Sequence, residues 1–321
     1  MEPFIILGAS KTGTSTAVAV ANAHPSVFCL FECDFSQSPD HARNAELTAL
    51  LPAARPLFQS GKPCAICLLE IGAQFAARGW AYERIGTKVQ GIRQDLLPHL
   101  GDAPVLFMIR DVRRWAVKNR ILRDVIGART ATDIVPFLTS YAHYFLESFR
   151  LARCVRLPLD HVLSTDTTVF PKAMASLLKL PQSGFESWWT AAADWKKAAP
   201  KNYSDWTDGH TSAFVPPLLN DTISQLAKHA FWDTFLPVFD KYFQAPGKTF
   251  AAAEITRDQQ HLAEIGNRFT MRLEEGFERF ESFKIMGLSK RDDGKLKIDA
   301  TDRVTQADLE DAANRWRLPE S

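Results

Sequence analysis

The 321-residue chain carries 38 Lys and Arg against 37 Asp and Glu, a formal net charge of +1, too even a balance for a protein held to nucleic acid or an anionic membrane by bulk electrostatics. With 46% apolar and 23% charged residues its composition is that of an ordinary globular protein, which excludes disorder, collagen and coiled coil. No stretch supplies the roughly 18 uninterrupted apolar residues of a membrane span, and Met1-Glu2-Pro3 is not the charged start of a signal peptide, so a cytoplasmic protein without a membrane span is expected.

The first 165 residues alternate short apolar runs with longer helical stretches, the pattern of parallel strands joined by crossover helices. Phe4-Ile5-Ile6-Leu7 reads as a buried strand that runs into a Gly-rich turn. A helix follows from about Ser15 to His24 and stops at Pro25. Further strands are expected at Val27–Leu30, Cys64–Leu69, Ile85–Val89 and Val105–Ile109, with a sixth near Val155–Leu159. Between the last two, Ile134, Phe137, Tyr141, Phe145 and Phe149 recur at three- and four-residue spacing and predict one amphipathic helix over 133–153. A helix from Phe170 to Leu180 then ends at Pro181.

The tail differs in composition: residues 251–321 hold 27 charged residues in 71, against 48 in the 250 before it. Leu262, Ile265, Phe269, Leu273, Phe277 and Phe280 predict an amphipathic helix that ends near Gly287, and Thr305 with Asp308 has the spacing of a capping box. The division expected is an α/β domain over 1–250 and a helical extension over 251–321, packed on its own domain or serving as a homo-oligomerisation arm. The five cysteines, Cys29, Cys33, Cys64, Cys67 and Cys154, are an odd number in a large chain, which argues against a disulfide framework. A Cys₄ zinc site is disfavoured because a strand over 64–69 would send Cys64 and Cys67 to opposite faces, and buried small cysteines are expected instead.

The strongest chemical signal is the turn after the first strand, Gly8-Ala9-Ser10-Lys11-Thr12-Gly13-Thr14-Ser15-Thr16. A strand, a Gly-rich loop and a helix N-terminus together make an anion site, because the first N–H groups of a helix have no internal partner and its dipole adds positive potential there. Gly8 and Gly13 let the backbone curl, Lys11 brings a mobile charge, and the hydroxyls of Thr12, Thr14, Ser15 and Thr16 bring further donors. Phosphate binding is the chemistry expected. The loop is not a Walker A loop, whose lysine directly follows the second glycine; Thr14 stands there instead.

The order strand, Lys-Thr-Gly-Thr-Ser, helix resembles the loop with which sulfotransferases hold the 5′-phosphosulfate end of 3′-phosphoadenosine 5′-phosphosulfate (PAPS). The family also has an arginine at the end of a later strand and a hydroxyl residue eight positions on, both contacting the 3′-phosphate. Here Val105-Leu106-Phe107-Met108-Ile109 leads into Arg110, and position 118 is lysine where serine is usual. Pro158-Leu159-Asp160-His161-Val162-Leu163, the helix 170–180 and Pro181 resemble a third family segment, so the likeness spans residues 4–181. It implies a central parallel sheet with flanking helices of the sulfotransferase type, PAPS as co-substrate and no metal. Ser10 to Thr16, Arg110 and Lys118 become the PAPS-binding residues, and Lys11 the cation that stabilises the leaving oxygen.

The base differs between branches of the family. In the small-molecule branch it is a histidine after the strand preceding the arginine strand; the matching stretch here, Gly86-Thr87-Lys88-Val89-Gln90-Gly91, offers Gln90. In the carbohydrate branch it is a glutamate after the second strand, soon after a His-Pro pair. His24-Pro25-Ser26-Val27-Phe28-Cys29-Leu30-Phe31-Glu32-Cys33-Asp34 resembles that arrangement and implies Glu32 as base, with Asp34 as its alternative. The expected acceptor is a hydroxyl on a small molecule, carbohydrate or lipid-linked group. The rival readings are a nucleotide-dependent P-loop kinase and a non-catalytic nucleotide-binding protein of the same fold.

Overall fold

The computed structural model describes residues 1–9, 12–112, 115, 132–159, 168–186, 229–273, 288–290 and 296–298. In chain order its main elements begin with β1 (Glu2–Gly8), α1 (Thr14–Ala23), β2 (Val27–Phe31), α2 (Ala42–Leu50), α3 (Cys64–Ala76), β3 (Arg84–Gln90) and β4 (Val105–Ile109). They continue with the two-residue strand β5 (Thr132–Asp133), α4 (Val135–Glu147), β6 (Cys154–Pro158), α5 (Val169–Leu178), α6 (Phe231–Phe243), α7 (Ala252–Arg268) and β7 (Arg272–Leu273). Two compact units result, one from the described parts of 1–109 and 147–193, the other from the described parts of 110–146 and 194–305.

The first unit is α/β. Its five-stranded sheet is parallel throughout, in the order β2-β3-β1-β4-β6. The middle strand β1 is an unbroken apolar run, Phe4 to Leu7, fully buried because helices cover both faces. Alternate side chains divide between those faces. Phe4 and Ile6 pack with Ala17, Val18 and Ala21 of α1 and with Phe170, Met174, Leu177 and Leu178 of α5, while α3 lies on the other side, where Phe75 meets Phe28 edge-on at 5.0 Å. At the end of α1, His24 is buried against Phe185 at 4.7 Å, and its Nδ1 accepts the Ser26 N–H at 3.1 Å.

Cys64–Leu69 is helical and not a strand: it opens α3, with Pro63 at the N-cap and Cys64, Cys67, Leu68, Ile71 and Phe75 buried at helical spacing. The run looked like a buried strand because the outer face also carries Ile66 and Leu69, which are exposed. Cys64 and Cys67 therefore share one face of a helix, which removes the geometric argument against convergence. Burial pushes the thiols of Cys29, Cys33 and Cys64 upward and that of Cys154 up to about 11, so none of these four is a thiolate near neutrality. All five cysteines are free, and among the described residues no group of three or more His, Cys, Asp or Glu side chains is placed to hold a metal.

The second unit holds α4, α6 and α7. The helix expected over 133–153 is shorter at both ends. Asp133 lies in β5 and accepts the Val135 N–H at 3.1 Å, and Ser148–Arg150 forms a 3₁₀ turn after Glu147. The helix expected over 262–287 starts earlier and stops sooner, as α7. Its C-cap Phe269 is extended, and Arg272–Leu273 pairs antiparallel with β5. The competing partner is again Asp133, whose Oδ1 accepts the Met271 N–H at 3.0 Å while Met271 O accepts Ile134 N–H at 3.0 Å. Residues 274–287 and the capping pair Thr305 and Asp308 lie outside the described residues. Among the described residues no helix is long and apolar enough to cross a membrane.

Candidate active site

β1 is the strand at which the chain changes direction across the sheet, since β2 and β3 lie to one side of it and β4 and β6 to the other. Ligands of open α/β sheets bind at such a switch point, outside the carboxyl ends of the strands. Gly8 ends β1 there. A Cβ on it would lie 2.6 Å from Thr12 Oγ1 and 2.7 Å from Met108 O, so only glycine lets the loop fold this closely onto β4. Thr12 is fully buried and its hydroxyl donates to Ala9 O at 2.7 Å. That hydrogen serves the curl of the loop and is not offered to a ligand.

Gly13 is the N-cap of α1 with φ 92°, a left-handed conformation that suits glycine. A Cβ there would also strike Leu159 Cδ1 at 2.6 Å. The cap glycine has no side chain with which to close the start of α1, and the first N–H groups there, those of Thr14, Ser15 and Thr16, have no acceptor within the helix. Thr14 is buried, Ser15 exposed and Thr16 half-buried. Ser10 and Lys11 lie outside the described residues.

Glu32 follows the last residue of β2 and has φ 60°. A residue with a side chain pays on the order of 1 kcal/mol for that backbone. The register of the sheet sets Lys88 of β3 beside both Phe31 and Ile6. Its side chain has no exposed surface, and Nζ reaches Glu32 Oε1 at 2.5 Å, Ser15 Oγ at 3.4 Å and the face of the Phe31 ring at 4.2 Å. The structure thus joins the implied base to the start of α1 through a lysine that the motif comparison passed over. The signal was present: a lysine inside the apolar strand Ile85-Gly86-Thr87-Lys88-Val89 is a charge that burial must explain. Glu32 remains about one-third exposed, open to an incoming group.

Asp34 is engaged differently. Its Oδ1 accepts Ser36 N–H at 3.0 Å and Ser36 Oγ at 2.7 Å, and Oδ2 pairs with Arg93. Arg93 in turn grips Asp95 with two bonds of 2.9 and 2.8 Å. The buried amide of Asn44 bonds both main-chain groups of Asp34, each at 3.0 Å, and Thr87 Oγ1 donates to Cys33 O at 2.7 Å. These contacts fix the turn that carries Glu32 and leave Asp34 as its anchor.

In the second unit Arg110, the residue after β4, is 2% exposed, and the Tyr141 hydroxyl bonds both its N–H and its carbonyl. Lys118 lies outside the described residues. No protein-family model matches the chain, and no curated protein matches it.

Proposed function

We propose that the protein is a PAPS-dependent sulfotransferase of the P-loop-like fold that moves a sulfuryl group to a hydroxyl acceptor, of which a carbohydrate, a lipid-linked group and a small alcohol are the classes to test. The observation that supports this reading is the pair Glu32 and Lys88 reaching Ser15 at the glycine-capped start of α1, because a carboxylate then lies near a helix N-terminus, which favours anions, at the switch point of the sheet. The glycine-only fold of the loop at Gly8 and the glycine cap of α1 fit a phosphate brought close to the main chain. When bound, PAPS supplies the sulfuryl group and a good leaving group, adenosine 3′,5′-bisphosphate. Glu32 takes the proton of the acceptor hydroxyl as its oxygen bonds to sulfur, and the electron pair of the broken S–O bond leaves on the 5′-phosphate oxygen. Lys88 holds the carboxylate aimed, the N–H groups at the start of α1 receive the developing charge, and by resemblance Lys11 bridges the leaving oxygen while Arg110 and Lys118 hold the 3′-phosphate.

The test is release of adenosine 3′,5′-bisphosphate from PAPS in the presence of a metal chelator, with sugars, lipid-linked sugars and small alcohols supplied in turn. Release that depends on the acceptor is expected. Inert PAPS together with magnesium-dependent transfer of the γ-phosphate of ATP to the same acceptors would replace this reading with a kinase.

A further inference from the structure

We propose that Tyr141 is the positioning residue for Arg110, setting the main chain from which the guanidinium reaches a 3′-phosphate; the proposal rests on the reading of Arg110 given above. One hydroxyl closes on one residue: Tyr141 Oη accepts the Arg110 N–H at 2.9 Å and donates to the Arg110 carbonyl at 2.8 Å. An arginine has four side-chain torsions, so a main chain free to rotate would spread its head group over many positions. Bonds at both its N–H and its C=O restrict φ and ψ together, and ordering completed before a ligand arrives is not charged against its affinity. The hydroxyl is itself held by its ring. Tyr141 is 1% exposed and stacks on Trp115 with centroids 3.8 Å apart and 17° between planes, and Trp115 stacks in turn on Phe137 at 4.6 Å and 14°. Trp115 N–H donates to Asp111 O at 2.8 Å, which ties the stack to the same turn of chain. Packing alone would accept phenylalanine at 141, as α4 does at Phe145; what the phenol adds is the pair of bonds to Arg110.

The test compares adenosine 3′,5′-bisphosphate with adenosine 5′-phosphate by calorimetric titration of the full chain and of Tyr141→Phe. The parent should prefer the bisphosphate, and Tyr141→Phe should bind it about tenfold more weakly, the scale of ordering one long side chain only on binding, with the monophosphate unaffected. Equal loss on both ligands, or no loss on either, overturns the role of Tyr141. A parent that binds the two ligands equally removes the reading of Arg110 instead. Should Tyr141→Phe not fold, hydrogen exchange in the parent decides. The Arg110 amide should exchange more slowly with saturating bisphosphate than with saturating monophosphate, because opening the Tyr141 bond then also costs the phosphate contact; the same rate with both ligands overturns the proposal.

Discussion

Glu32→Gln is expected to lower turnover by about a hundredfold or more, the scale of a lost general base, while the affinity for adenosine 3′,5′-bisphosphate stays as in the parent. Glutamine keeps the shape and the hydrogen-bonding oxygen of glutamate but cannot accept the acceptor's proton. The substitution also removes the carboxylate charge that pairs with Lys88, whose side chain has no exposed surface. Breaking a buried pair from one side costs about 3–5 kcal/mol; with Glu32 about one-third exposed to screening water, about 1–3 kcal/mol is expected. Asp34→Asn should show the opposite balance. Its loss of the Arg93 pair and of acceptor strength toward Ser36 lowers the melting temperature, with little effect on turnover beyond what loosening the turn brings. Steady-state kinetics and thermal melts on both variants check this, and turnover that falls with Asp34→Asn but survives Glu32→Gln would make Asp34 the base.

Lys88→Met is expected to abolish most turnover and yet leave the fold as stable as the parent, or more so by about 1–3 kcal/mol. Burying an ammonium in an interior strand is costly, and Lys88→Met removes that cost while keeping an apolar side chain of similar volume. Glu32, being partly exposed, tolerates the loss of its partner better than Lys88 would tolerate the loss of Glu32. The carboxylate would no longer be aimed, however, and Ser15 would lose its cation at the start of α1. The two effects separate in a cycle: Glu32→Gln with Lys88→Met should recover most of the stability that Glu32→Gln loses, without recovering turnover. If Lys88→Met proved both strongly destabilised and fully active, Lys88 would be a structural pair and nothing more.

How much of this was legible in the sequence depended on whether a local pattern had one meaning. Phe4–Leu7, Val27–Leu30 and Val105–Ile109 are short apolar runs bounded by turn signals, and each lies in a strand of the sheet. Cys64–Leu69 offered the same short run, but Ile66 and Leu69 on the outer face of α3 hid the helical period that Ile71 and Phe75 complete. At 269–273 the apolar spacing continued while the chain turned extended, because pairing with Thr132–Asp133 lies far away in sequence and no local pattern announces it. The loop of Gly8 and Gly13 was readable because glycine at a close approach has few other reasons to be there. Lys88 was readable only as a charge inside a strand, since its partner comes from the β2-β3 register that brings it to Glu32, a relation between residues 56 apart in the chain. The hydroxyl of Tyr141 was hidden in the same way: its position fitted the apolar stripe of α4, and only the fold brings its oxygen to Arg110.

The proposed function requires that the chain bind a nucleotide with a 3′-phosphate, and calorimetric titration of the full chain with adenosine 3′,5′-bisphosphate, without metal, against ATP with magnesium tests this most directly. A 3′-phosphate ligand should bind without metal and raise the melting temperature further as its concentration exceeds Kd, with ATP and magnesium binding far more weakly. ATP with magnesium binding as tightly as the bisphosphate, or more tightly, would contradict the account.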